Sequence, residues 1–215
     1  MLQNIKLVIF DLDGVLADTE PLHYYAKSEI LQSLGLKNEI NINDFIGKPN
    51  REFWDLALRG SGISIPFSAL ETRQYDIILD QMRKREMHPS EGLVDVLEYL
   101  KTKGIQVGLC SSSNRYYVDR VLSFFQLNTY FDISVGGDEV KVKKPAPDGY
   151  LKVLERTGVR AESAVAVEDS ASGVQAAQNA EIACIGYDNP TSENQNLDKA
   201  YTKIQSLREL IELIP

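Results

Sequence analysis

Cysteine is scarce in this chain, with only Cys110 and Cys184 among 215 residues. Each sits in an apolar run, QVGLC and IACIGY, so both read as reduced thiols packed in a core, not as a disulfide. Cys110 has no histidine near it in sequence, which leaves a nucleophilic thiol without a base. Positive charge is also in deficit: 23 lysines and arginines face 31 aspartates and glutamates, for a formal charge of −8. A general nucleic-acid binder needs a basic face, so that class is disfavoured. An anionic small molecule is not excluded, because a bound divalent cation reverses the local sign. No run approaches the roughly 20 apolar residues of a membrane helix. The opening MLQNIKLVIFDLDG passes from a short apolar run straight into acid, so it reads as a first strand and not as a signal peptide. A cytoplasmic location is the expectation. Repeats and low-complexity tracts are lacking as well.

What is present is an ordinary globular balance, 43% apolar and 25% charged, long enough for one core domain with a small insert. Strand-like runs occupy 5–10, 105–110, 131–137, 164–168 and 182–187. The first, second and fourth are apolar on both faces, as strands covered on two sides must be. Helical patterns fall between them at 92–104, 114–126, 148–158 and 172–180. This alternation predicts an α/β fold with a doubly wound parallel sheet. Residues 18–87 break the pattern with helical segments alone, near 19–34, 44–59 and 67–86. They read as a helical insert, leaving 1–17 and 88–215 as the core. The polar stretch 188–200 reads as a loop ahead of a short last strand and a terminal helix at SLREL.

Acid gathers where strands end. Asp11 and Asp13 follow the first apolar run, and Gly14 after them permits a sharp turn. In an open α/β sheet, ligands bind beyond the carboxyl ends of the strands. The pair suits a carboxylate nucleophile, Asp11, with a general acid/base, Asp13, two residues on. It suits two acidic turn residues as well. Glu168 and Asp169 close a second strand, AVAVED, and can share one hard cation with Asp11, although helix capping explains them too. At a third strand end, CSSSN opens a helix. Backbone N–H groups there make a phosphate cradle, with the Ser111 hydroxyl nearest the strand, or else a plain N-cap. Lys144 in KVKKPAPD is a cation that can balance these acids and hold a transferring phosphoryl group, or a solvated loop lysine.

These four sites, in this order, resemble the haloacid dehalogenase superfamily of aspartate-nucleophile phosphotransferases. DLDGVLADTEPLH matches its first motif, Ser111 its second, Lys144 its third, and Glu168–Asp169 its fourth. Within the superfamily the chain looks most like the β-phosphoglucomutase-like group. That resemblance implies a Rossmann-like, three-layer α/β/α core with a small helical cap inserted after the first motif. It implies an aspartyl-phosphate on Asp11, and Mg²⁺ held by the Asp11 side chain, the Asp13 main-chain carbonyl and Asp169, with Glu168 close by. Asp13 speaks against the dehalogenases proper, which do without a second acid.

Two reactions start from that phosphoryl-enzyme. A phosphatase releases the group to water. A mutase returns it to another hydroxyl and needs a second phosphate site in the cap. Arg51, in the segment Gly47–Glu52, and Arg73 are the candidates for it, with Lys48 as a further basic residue. Arg51 falls one residue later than the mutase pattern, and Arg73 stands where the mutases carry lysine, which alters the geometry. His23 matches a histidine of the mutases that related phosphatases share. Ser112 and Asn114 complete the expected substrate contacts. Arg51, Arg73 and Lys48 are equally at home on a solvated helix face, and His23 as a hinge or packing residue, whereas Trp54, Tyr24 and Tyr25 are expected to pack the cap. The expectation is a monomeric phosphatase of a small phosphorylated metabolite, a sugar phosphate, with β-phosphoglucomutase as the alternative. A non-catalytic phospho-ligand sensor ranks third, because Asp11 and Asp13 are both retained.

Overall fold

A six-stranded, wholly parallel sheet carries the chain's acidic strand ends. Its strands are β1 (Leu7–Phe10), β2 (Gln106–Cys110), β3 (Ile133–Val135), β4 (Ala164–Glu168), β5 (Ala183–Tyr187) and β6 (Thr202–Ile204), in the order β3-β2-β1-β4-β5-β6. The computed structural model describes residues 2–36, 40–45, 49–191 and 195–215. Gly47, Lys48 and residues 192–194 of the predicted loop lie outside them.

The sheet forms where apolar density is highest. All four β1 residues are fully buried, and all five of β4 are buried. Burying each Leu, Val, Ile or Phe contributes on the order of 1.5–3 kcal/mol. Leu7 and Ile9 join Ala164, Ala166, Tyr150 and Val153 in one cluster with Val174, Ala176 and Ala177. The helices behind that cluster are α6 (Asp148–Thr157) and α7 (Ala171–Asn179). The remaining core helices are α4 (Leu93–Thr102), α5 (Arg115–Phe124) and α8 (Leu210–Leu213). This is the expected doubly wound α/β core.

From β1 the chain winds to the β2 side, and from β4 to the β5 side. The order therefore reverses between β1 and β4, and ligands of open α/β sheets bind beside such a reversal. The Asp11 N–H donates to the Val167 carbonyl at 3.0 Å, which carries the pairing one residue past β1 and sets Asp11 beside the end of β4.

The chain divides into two compact units, Met1–Asp18 with His88–Pro215, and Thr19–Met87. The second holds α1 (Glu20–Ser33), α2 (Asn50–Ala57) and α3 (Phe67–Lys84). One expected helix changes: 44–59 is not continuous. A 3₁₀ turn covers Ile42–Phe45, and α2 starts only after Pro49, whose ψ of 129° is extended. Tyr24 is another correction. It is 45% exposed, because α1 buries Leu22, His23, Ala26, Lys27, Ile30 and Leu31, and position 24 falls on the opposite face. Trp54 is buried in the unit's apolar cluster, as expected.

Candidate active site

Lys144 is the centre of the arrangement. Its Nζ lies 2.7 Å from Asp11 Oδ1, 2.6 Å from Glu168 Oε1 and 2.7 Å from the Cys110 carbonyl oxygen. An ammonium has three N–H bonds, and three oxygens surround this one at bonding distance. Lys144 is therefore a buried counter-charge to two acids. The residues come together because β1, β2 and β4 are adjacent and end at the same edge. Burial alone would pull the Lys144 ammonium down, but Asp11 and Glu168 hold it well above its ordinary pKa.

The two acids respond in the opposite direction. Burial raises Asp11, with Asp13 adding to the effect and Lys144 opposing it. Burial and the Asp11 charge push Glu168 up to about 7, again against Lys144. Tyr150, fully buried in α6, donates its hydroxyl to Glu168 Oε1, and its own ionisation is pushed well above the usual range by burial and by Glu168. Cys110 shares this surrounding, and burial lifts its thiol to about 12. That suits the packing role expected of it and leaves no thiolate at neutral pH.

Asp13 turns to other partners. Ser113 Oγ donates to its Oδ2 at 2.9 Å and Tyr117 OH to its Oδ1 at 3.3 Å. Both donors come from the segment after β2. Gly14, at φ 83°, supplies the turn that sends the chain away, and Asn189 Nδ2 holds the Gly14 carbonyl at 2.7 Å. Ser111 is buried, and its Oγ accepts from the Ser113 N–H at 3.0 Å. The N-cap of α5 is Asn114, whose Oδ1 accepts from the Tyr117 N–H at 3.1 Å. Ser112 is half-buried beside it.

Asp11, Glu168 and Asp169 each bring a carboxylate oxygen within 4.8 Å of the others, and all three are buried. Asp11 and Glu168 share the one ammonium of Lys144. Glu168 Oε2 is moreover buried without a hydrogen-bond partner among the described residues. An all-oxygen donor set with an orphaned carboxylate oxygen fits a hard divalent cation.

That orphaned oxygen also explains Gly173. A Cβ built there would stand 1.8 Å from Glu168 Oε2 and 2.1 Å from Glu168 Cδ. Neither side can yield easily. Ser170 caps α7 by accepting from the Gly173 N–H at 3.1 Å, and Lys144 and Tyr150 tie the carboxylate. Alanine favours a helix over glycine by about 1 kcal/mol, but overpacking costs about 1–3 kcal/mol. Gly173→Ala is expected to lower Tm by several degrees in scanning calorimetry. An unchanged or higher Tm would contradict this packing.

The cap candidates occupy three different settings. His23 is buried, with Nδ1 3.0 Å from Gln74 Nε2. Arg51 is exposed, with its guanidinium carbon 4.4 Å from the Phe67 ring centroid. Arg73 is exposed on α3. Tyr150, Ser113, Tyr117, Gly173 and Gln74 were not foreseen. Gly173 had a signal in EDSASG, a small residue five positions after the acid. The others are ordinary core or turn residue types whose partners are set by tertiary packing.

A family model described as haloacid dehalogenase-like hydrolase matches residues 8–187. The phosphorylated carbohydrates phosphatase of Thermotoga maritima is 36% identical over 190 residues, covering 83% of this chain and 82% of that protein. Among solved structures, CbbY from Rhodobacter sphaeroides in complex with phosphate superposes with a TM-score of 0.86 at 26% identity, over 96% of each chain. A putative β-phosphoglucomutase from Thermotoga maritima gives a TM-score of 0.74 at 32% identity, over 97% of this chain and 98% of that one.

Proposed function

The chain belongs to the haloacid dehalogenase-like hydrolase family, and from that membership we propose that it is a phosphatase of a small phosphorylated metabolite, a sugar phosphate. The observation that carries this reading is the Asp11–Lys144–Glu168 cluster at the sheet's reversal point, with Asp169 beside it.

In the first step an Asp11 carboxylate oxygen attacks phosphorus, and the P–O bond to the sugar breaks. Asp13 gives its proton to the departing oxygen. In the second step Asp13, now a carboxylate, takes a proton from water as that water attacks the phosphoryl-enzyme. Inorganic phosphate leaves and Asp11 is regenerated. Ser111 and Lys144 stabilise the phosphoryl oxygens. To reach them, Lys144 exchanges one of its three present oxygen neighbours for a phosphoryl oxygen. Ser112, Asn114, His23, Arg51 and Arg73 are the proposed contacts to the rest of the substrate, and the helical unit is the proposed cap. The carboxylates of Asp11, Asp169 and Glu168, with the Asp13 main-chain carbonyl, would hold Mg²⁺. When bound, the ion neutralises these acids and the incoming phosphate.

Release to water is placed first because the relative from Thermotoga maritima is a phosphorylated carbohydrates phosphatase. Phosphomutase activity is the second reading, favoured by the likeness to the putative β-phosphoglucomutase. The test is Mg²⁺-dependent release of phosphate from p-nitrophenyl phosphate and from β-glucose 1-phosphate. Free phosphate is expected from both, and EDTA is expected to stop it. Glucose 6-phosphate formed from β-glucose 1-phosphate and a bisphosphate primer, without free phosphate, would make the protein a mutase. No turnover of any phosphoester, with or without Mg²⁺, would end the enzymatic reading of the site.

A further inference from the structure

Three side chains buried within the helical unit form a relay that fixes a proton. Trp54 in α2 donates its indole N–H to Gln74 Oε1 in α3 at 3.1 Å. Gln74 Nε2 lies 3.0 Å from His23 Nδ1 in α1 and 3.4 Å from Asn50 Oδ1. Trp54 is 1% exposed, Gln74 0% and His23 8%. The indole nitrogen is a donor only, so the Gln74 atom it meets must be the carbonyl oxygen. The amide nitrogen therefore faces His23, and its two N–H bonds meet Asn50 Oδ1 and His23 Nδ1. Two donors do not bond to each other. Nδ1 must accept with its lone pair, and in the neutral ring the proton then sits on Nε2. Turning the Gln74 amide over would set a buried indole N–H against an NH₂ group, so the orientation is held from both ends. The ring plane is held as well, since Tyr75 meets it edge-on at 6.3 Å between centroids.

We propose that Trp54 and Gln74 are positioning residues that fix His23 as its Nε2–H tautomer, making it an obligate donor to an oxygen of the substrate's carbohydrate part. The proposal rests on the reading of His23 as a substrate contact. Its selectivity is chemical. A ring locked as an Nε2–H donor binds a hydroxyl or phosphate oxygen and gives nothing to a donor-only group.

The tautomer is read directly by long-range ¹H–¹⁵N NMR of the imidazole in the full chain. Wild type is expected to show an unprotonated Nδ1 and a protonated Nε2. Gln74→Glu places an acceptor against Nδ1 and is expected to move a proton there. Where that proton leaves Nε2, the KM for β-glucose 1-phosphate should rise about tenfold, with kcat little changed and p-nitrophenyl phosphate unaffected. Trp54→Phe keeps a ring in the core but frees Gln74 to turn, so both tautomers should appear. A protonated Nδ1 in wild type overturns the proposal, as does a Gln74→Glu spectrum identical to wild type. A pure Nε2–H signature in Trp54→Phe removes the part assigned to Trp54. If a variant fails to fold, the wild-type spectrum still decides the tautomer. The substrate reading fails separately: with the tautomer as proposed, a His23→Ala protein with unchanged KM for the sugar phosphate would sink that reading and leave the proton assignment standing.

Discussion

Asp11→Asn is expected to abolish phosphate release, by about 10⁴-fold or more in kcat, while leaving the fold at least as stable as wild type. The catalytic half follows from chemistry, because a neutral amide is a poor nucleophile at phosphorus. The stability half follows from burial. Desolvation raises the Asp11 pKa above its ordinary 3.8, so its charged form is disfavoured in the fold. Between 3.8 and the folded value the native state binds more protons than the unfolded chain, and stability falls as pH rises through that window. Asparagine removes this liability. Its amide oxygen can still accept from Lys144, and Lys144 keeps Glu168 and the Cys110 carbonyl. Thermal unfolding at pH 8 should give a Tm equal to or above wild type. Turnover above about one hundredth of wild type would mean that Asp11 is not the nucleophile, whereas a large fall in Tm would mean that its charge is a net support of the fold.

The strand ends were legible because apolar runs that stop abruptly in acid leave few alternatives. Asp11, Glu168 and Asp169 did converge at one edge. Lys144 needed tertiary information, since a lysine before a proline in a loop is ordinarily solvated. Its burial comes from β1, β2 and β4 being neighbours, which local pattern alone does not state. The helix boundaries around Pro49 failed for a local reason. The hydrophobic spacing runs through 44–59, and the extended backbone at Pro49 overrides it. Gln74 was invisible for a different reason. A glutamine on an amphipathic helix looks like a surface residue until an indole and an imidazole meet it from two other helices. The sequence pattern thus located charge that must be balanced, and packing decided which neutral residues hold it in place.

Lys144→Met should produce the largest loss of stability, and the loss should depend on pH. Methionine fills similar volume but removes the only positive charge within bonding distance of Asp11 and Glu168 among the described residues. Breaking a buried ion pair by removing one partner costs about 3–5 kcal/mol. The sign follows from the acids. Both already have raised pKa values, Glu168 from 4.5 to about 7, and Lys144 is the strongest influence opposing the rise in each. Without it both climb further. At pH 5 Glu168 is largely protonated in the variant, so less charge is left stranded and Tm should lie near wild type. As pH rises through 7 Glu168 ionises in folded wild type but resists in the folded variant, while the unfolded chain is already ionised, and the full penalty develops. At about 2–4 °C per kcal/mol, the Tm gap at pH 8 should be on the order of 10 °C. Adding Glu168→Gln removes one stranded acid and is expected to recover part of the gap at pH 8. Mg²⁺, for which the remaining carboxylates are the proposed ligands, should also narrow it. A gap of the same size at pH 5 and pH 8 would show that Lys144 supports the fold through packing and not as the counter-charge of the acidic cluster.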